Sequence, residues 1–454
     1  MTVTGSRVLR LSVAAALTVL PQCGAPSARA VAPPPIDERW LPAPALPVPP
    51  QPTVQREVCT VVAADADRAA APAQLADFDR PQIWQLTRGA GQRVAIIDTG
   101  VSRHPRLPEL IAGGDYVSTG DGTQDCDAHG TLVAGIIAAA PDPDTDKFSG
   151  VAPDVTVISI RQSSTKFAPV GDPTSTGVGD VDTLAKAVRT AADLGASVIN
   201  ISSVACVAAA AALDDRALGA ALAYAVDVKN AVVVAAAGNT GGAGQCPAQR
   251  SDVTQDTVTV AVSPAWYDDY VLAVGSVNAQ GTPSAFTLAG PWVDVAATGE
   301  GVTSLSPVGE GIVNIVDGQG GSVPLSGTSY AAPVVSGLAA LIRARFPALT
   351  ARQVMQRIEA TAHHPPAGWD PLVGNGTVDP LAAVSTGPMP PATGPGLGPK
   401  PIATPASPPP TPPDRARNTA LAGSAICLTV LAAAVASGRL RRLRRSGHDG
   451  VTGD

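Results

Sequence analysis

Three short segments carry side chains that could act together as a nucleophilic centre. Ile96-Ile97-Asp98-Thr99-Gly100-Val101 ends a β-branched apolar run in a carboxylate. His129-Gly130-Thr131-Leu132-Val133-Ala134-Gly135 places a histidine at the head of a small-residue stretch with helical spacing. Ser326-Gly327-Thr328-Ser329-Tyr330-Ala331-Ala332-Pro333 places Ser329 at the head of another. A serine hydroxyl attacks only when a base takes its proton; histidine is a suitable base, and a carboxylate orients the imidazole and stabilises its charged form. At a helix start the free N–H groups and the dipole also favour developing negative charge.

Each segment alone has a plainer reading. Asp98 could be a strand-end turn residue, His129 a satisfied structural histidine and Ser329 an ordinary N-cap. Asp-Thr-Gly also occurs in aspartic proteases, which need two such carboxylates; no second Asp-Thr/Ser-Gly is present. Ala331 breaks the Gly-x-Ser-x-Gly nucleophile elbow, and the chain order is Asp, His, Ser rather than the Ser, acid, His of that fold. Taken together and in that order, the three motifs form the subtilisin arrangement. A fourth segment fits it: Val232-Val233-Val234-Ala235-Ala236-Ala237-Gly238-Asn239 is a strand ending in an amide side chain. Asn239 and the Ser329 backbone N–H are the natural pair of donors for the oxyanion of a tetrahedral intermediate. The glycines that follow lack Gly-x-Gly-x-x-Gly spacing, so no nucleotide site is read there. His104, in a loop, and His363-His364, after a helix, read as structural.

The elements needed to hold these residues alternate along the chain. Arg93 to Ile97, Val155 to Ile160, Ser197 to Ile201, Ala231 to Ala236, Val271 to Val277 and Val293 to Ala297 suit strands buried on both faces. Thr131 to Ala139, Val181 to Leu194, Asp215 to Val228, Tyr330 to Phe346 and Ala351 to Thr361 carry helical spacing. The alternation predicts an α/β domain over 81–386, a mostly parallel sheet flanked by helices on both faces with the active site at the carboxyl ends of its strands; the resemblance of the motifs implies that this fold is subtilisin-like. The segments Gln162 to Asp182 and Gln245 to Tyr270 are long and polar enough to shape a substrate cleft.

The two ends of the chain are not globular, and the 44 prolines concentrate there. Residues 1–30 read as a signal peptide: Arg7 and Arg10, an apolar stretch from Leu11 to Leu20, and the Ala28-Arg29-Ala30 cleavage site. Residues 31–80 read as a proline-rich N-terminal extension wrapped on the catalytic domain, and 387–418 as a proline-rich linker. Thr419 to Gly438 carries no charge and is followed by Arg439, Arg441, Arg442, Arg444 and Arg445. About 20 apolar residues cross a bilayer, and the arginines belong on the cytoplasmic side. Residues 419–438 are therefore expected to be a single transmembrane helix and 439–454 a cytoplasmic tail. The catalytic domain would lie outside the cell membrane. A net charge of −7 excludes nucleic acid as the main partner.

From residue 81 onward these motifs resemble the subtilase family, as do Val271 to Val277 and Gly290-Pro291-Trp292-Val293-Asp294-Val295-Ala296, which look like its late strands. Within it the layout of signal, extension, cysteines, stalk, terminal helix and Arg tail resembles the mycosins, membrane-anchored proteases of actinobacterial type VII secretion systems. The resemblance implies a serine endopeptidase that cuts secreted proteins through an acyl-enzyme, without a cofactor. It also implies a second, structural role beside a membrane-embedded secretion complex. A catalytically idle scaffold subunit and a general scavenging surface protease are the alternatives. No metal site is readable.

Cys23 falls in the signal and Cys427 in the membrane helix, leaving Cys59, Cys126, Cys206 and Cys246. In an exported protein disulfides are the default, and four cysteines allow three pairings. The strands Ser197 to Ile201 and Ala231 to Ala236, joined through a helix, should lie parallel and adjacent. Cys206 and Cys246 would then sit on loops at one edge of the sheet and pair, leaving Cys59 for Cys126.

Overall fold

The computed structural model describes residues 31–64, 72–75, 78–172, 174–209, 211, 213–241, 245–318 and 321–385. The segments read as signal peptide, linker, membrane helix and tail lie outside the described residues. Among the described residues no helix is long and apolar enough to cross a membrane.

Seven strands form the central sheet: β1 (Arg93–Asp98), β2 (Leu110–Asp115), β3 (Thr156–Arg161), β4 (Val198–Ile201), β5 (Val232–Ala236), β6 (Leu272–Val277) and β7 (Val293–Thr298). Their order is β7-β6-β5-β4-β1-β3-β2, and every neighbouring pair is parallel. All strands therefore present their carboxyl ends at one edge. Side chains alternate between faces along a strand, yet every residue of β4, β5 and β6 is buried. Both faces are covered, which is why these strands read as unbroken apolar runs.

Among the described residues seven α-helices accompany the sheet: α1 (Arg80–Leu86), α2 (His129–Ala138), α3 (Val181–Asp193), α4 (Arg216–Ala223), α5 (Thr328–Arg345), α6 (Ala351–Thr361) and α7 (Pro380–Val384). α2 and α5 pack on one another, α2 also against β1 and α5 against β4 to β7. Helix α5 is buried from Thr328 to Ile342. A helix sunk so deep has no solvated face to show amphipathic spacing. It is fixed to the sheet by a buried polar contact, Ser336 Oγ donating to Asn200 Oδ1 at 2.8 Å.

The six strands expected from sequence are six of the seven. The edge strand β2 was not expected; Leu-Ile-Ala-Gly-Gly-Asp lacks a β-branched run, and its pairing shifts between Ala112 and Gly114. The helix expected over Asp215 to Val228 is α4 followed by one wide π-helical turn, Tyr224–Val228. Helix α2 begins two residues earlier than its spacing indicated, at His129 itself.

The N-terminal extension lies along this domain. Thr53–Gln55 pairs antiparallel with Phe167–Pro169, and Val62–Ala63 with Ile315–Gly318. Further along, the Gln74 side chain donates to Thr303 O and accepts from Thr303 N. Trp40 lies under the Arg216 guanidinium, 3.9 Å from the ring centroid. The long segment after Gln162 thus serves as a docking strip for the extension. The one after Gln245 supplies Val260–Ser263, which pairs with Ala205–Ala208.

Candidate active site

Asp98 is the last residue of β1, and only 2% of its side chain is exposed. Its Oδ1 accepts from the Thr99 N–H at 2.7 Å and meets His129 Nδ1 at 2.8 Å. With Nδ1 committed to the carboxylate, Nε2 is the nitrogen left for another partner. His129 can come this close because its neighbour is glycine. A Cβ on Gly130 would stand 2.0 Å from Gly100 O and 3.2 Å from Asp98 Cβ, so any side chain would push α2 off the end of β1.

Ser329 is the second residue of α5, within the first turn, whose N–H groups have no intrahelical partner. Pro333, four residues on, has no N–H to give the Ser329 carbonyl. Tyr330 beside it faces the imidazole, ring centroids 5.2 Å apart. Asn239 follows β5, and its amide oxygen is held by Thr328. Thr328 N and Oγ1 donate to Asn239 Oδ1 at 2.9 and 3.0 Å, while Gly238 N donates to Thr328 Oγ1 at 3.2 Å. With its oxygen held, the Asn239 amide presents Nδ2. A Cβ placed on Gly327 would be 3.0 Å from Ser329 Oγ, 3.4 Å from Asn239 Nδ2 and 3.8 Å from Ser329 N. A hydroxyl and two N–H donors therefore surround one small space that Gly327 leaves open. All four residues singled out in the sequence meet at the carboxyl edge of the sheet.

Residues not singled out by sequence hold the centre together. Asp125 accepts from Thr99 Oγ1 through Oδ1 at 2.8 Å, and from Thr131 N and Oγ1 through Oδ2 at 2.8 and 2.7 Å. Asp127 accepts from Ser164 Oγ, Thr165 N and Thr165 Oγ1. An aspartate shortly before a helix of unsuitable cap residue is the signal that could have found Asp125.

Burial favours the neutral imidazole of His129. The Asp98 carboxylate, by charge and by hydrogen bond, outweighs this, with Asp125 and Asp127 adding to it, and holds the His129 pKa above the ordinary histidine value. Burial pushes the Asp125 carboxyl up to about 7, with the Asp98 charge adding to it, against the lowering by hydrogen bonds from Thr131 and Thr99. His104, by contrast, is buried with Nδ1 accepting from Arg106 N. His364 Nδ1 meets Asn375 O, and His363 lies 3.7 Å from Asp379. Neither joins the centre. Among the described residues no group of histidine, cysteine or acidic side chains is arranged to hold a metal.

Two disulfides flank the site. Cys59–Cys126, with Cα atoms 4.5 Å apart, ties the extension to the loop before His129. Cys206–Cys246 spans 5.3 Å between Cα atoms, and the Cys246 N–H donates to Asn239 O at 2.9 Å.

Comparison with known proteins places the chain in a family. Residues 89–376 match the Subtilase family. The chain is 74% identical to Mycosin-4 of Mycobacterium tuberculosis, over 99% of this chain and 100% of that protein. It is 45% identical to Mycosin-1 of Mycolicibacterium smegmatis, over 95% and 99%. Among solved structures, the MycP3 protease from the type VII (ESX-3) secretion system superposes with a TM-score of 0.73 at 46% identity, covering 79% of this chain and 100% of that one. A chain of an intact ESX-5 inner membrane complex gives 0.74 at 41% identity, over 90% and 100%. The chain belongs to the subtilase family of serine peptidases, in its mycosin branch.

Proposed function

We propose that this protein is a membrane-anchored serine endopeptidase that cuts secreted proteins on the outer side of the membrane, within a type VII secretion machine. The observation that carries the proteolytic reading is the space bounded by Ser329 Oγ, Ser329 N and Asn239 Nδ2, beside an imidazole already bonded to Asp98. In this reading Ser329 Oγ attacks the substrate carbonyl while His129 Nε2 takes its proton. Asp98 fixes the tautomer and stabilises the imidazolium. The carbonyl oxygen, as it gains charge, enters the space before Gly327 and is held by the Asn239 amide and the Ser329 N–H. His129 returns the proton to the leaving amine, giving an acyl-enzyme that water releases by the same steps in reverse.

The setting is supported by the similar solved structures, one a protease from the type VII (ESX-3) secretion system and another from the intact ESX-5 inner membrane complex. Anchoring through 419–438, with the tail inside, is supported by the uncharged run and the arginines that end it. A structural contribution beside the secretion pore is compatible with catalysis.

The test uses full-length protein in membranes and a fluorescent fluorophosphonate, whose phosphorus a serine activated in this way attacks, forming an Oγ–P bond as fluoride leaves. Wild-type protein should label, and Ser329→Ala should not. In a subtilisin, removing the nucleophile costs on the order of 10⁶ in kcat. Labelling that survives Ser329→Ala sinks the triad. Secretion that survives the same substitution but fails on deletion of the gene would assign the structural role.

A further inference from the structure

We propose that Asp125 is a positioning residue for this reaction, fixing the approach of Asp98 to His129 and setting a second negative charge behind the imidazole. The inference rests on the Asp98, His129 and Ser329 assignment above.

Helix α2 starts at His129 without a cap of its own. The cap position is Ala128, in a left-handed conformation with φ 69° and no side-chain acceptor. The N–H groups of the first turn must be satisfied from elsewhere. Gly130 N donates to Thr99 Oγ1 at 2.9 Å, and Thr131 N to Asp125 Oδ2 at 2.8 Å. Asp125 Oδ1 holds Thr99 Oγ1 at 2.8 Å. Thr99 is the residue after Asp98 and donates its own N–H to the Asp98 carboxylate. One oxygen of Asp125 thus holds the end of β1, and the other holds the first turn of α2. The 2.8 Å contact between Asp98 and His129 bridges the same two elements. Without Asp125, the direct ties beside that contact are the Gly130 bond to Thr99 and the Ser102 N–H to Thr131 Oγ1 at 2.9 Å.

The charge of Asp125 acts on the same pair. It faces Asp98 from β1, His129 at the mouth of α2 and Tyr330 from α5, while Asp127 acts on the same imidazole. A carboxylate here favours the imidazolium, so removing it lowers the pH at which His129 becomes neutral. The Asp125 carboxyl is itself lifted to about 7, so its charge comes on through the neutral range and acts there on the imidazole. A residue serving only as a helix cap would leave the pH profile where it was.

The experiment measures fluorophosphonate labelling rates against pH for full-length wild type, Asp125→Asn, Asp125→Ala and Ser329→Ala in membranes. Asp125→Asn keeps an acceptor and should label well at its optimum, but with the acid limb lowered by about half a pH unit or more. Asp125→Ala, if folded, should label slower by roughly 10²-fold, as small misplacements of catalytic groups do. An acid limb of Asp125→Asn that superimposes on wild type overturns the charge role, whether or not Asp125→Ala folds. A folded Asp125→Ala labelling at the wild-type rate overturns the positioning role. Labelling of Ser329→Ala would instead condemn the triad on which the inference stands.

Discussion

Replacing Gly327 by alanine tests the chemistry at its centre while sparing the fold. The backbone there is extended, φ 162° and ψ 155°, a region open to alanine, so no conformational strain is introduced. Glycine to alanine at a compatible site removes unfolded-state entropy and stabilises by about 0.4–1 kcal/mol. Thermal stability should therefore hold or rise slightly. The added methyl, however, lies 3.0 Å from Ser329 Oγ and 3.4 Å from Asn239 Nδ2, in the space the oxyanion must enter. Losing one oxyanion donor costs roughly 10² to 10³ in kcat, and the methyl obstructs both. A fall of at least that size is expected in the second-order rate of fluorophosphonate labelling, whose phosphoryl oxygen occupies the same space. Asn239→Ala alone should lie in the single-donor range. Adding it to Gly327→Ala should cost little more, because donors that serve one space are not independent. A Gly327→Ala protein that melts like wild type and labels at the wild-type rate would refute this placement of the oxyanion.

Three further outcomes are expected. In the proposed mechanism the neutral imidazole is the base, so labelling should fall as pH drops through the His129 pKa. With that pKa raised by Asp98, the acid limb should lie above about 6.5, the ordinary histidine value; a rate flat into acid, in protein shown by circular dichroism to be folded, contradicts the role. Asp215 is 1% exposed and accepts from Ser263, Trp266 and Tyr267 side chains. Asp215→Ala should destabilise by about 3 kcal/mol or more, since each stranded buried donor costs about 1–3 kcal/mol; a chemical denaturation midpoint near wild type would show the cluster to be relaxed. Finally, a backbone cut after Ala63 should leave the extension bound through Cys59–Cys126, the fragment separating on denaturing gels only after reduction. Release without reductant would show that the bond does not form.

How much of this was legible in the sequence depended on what each element buries. Strands β4 to β6 are covered on both faces, so an apolar run is what their environment demands. The sequence of β2, with exposed Ile111 and Ala112, meets no such demand and stayed silent. Asp98, His129, Ser329 and Asn239 were legible because each stands where an element begins or ends, flanked by small residues whose compactness the site requires. Gly130 and Gly327 are cases in point. Asp125, Thr99 and Thr328 were not, because their roles exist only across tertiary contacts: Thr328 orients Asn239 from 89 residues away. The extension shows the same limit. Its strands are two and three residues long and pair with partners far along the chain, as Thr53 does with Pro169, so no local period announces them.

The cross-links bear on the choice between a protease and an idle scaffold. Asp125, Cys126 and Asp127 are consecutive and tie four parts of the molecule together: the end of β1, α2, the extension and the Ser164–Thr165 loop. On the opposite wall, Cys246 is bonded to Cys206 and gives its N–H to the Asn239 carbonyl. The central strands of the sheet are buried on both faces, and neither disulfide lies in it. The loops at its carboxyl edge are where polar backbone must be held without regular pairing, and there the bonds are spent. In the proposed mechanism these bonds fix the residues beside the histidine base and the oxyanion amide. A protease gains the distances on which its rate depends. The placement of the disulfides therefore weighs toward catalysis, with any structural role in secretion built on a centre kept in working geometry.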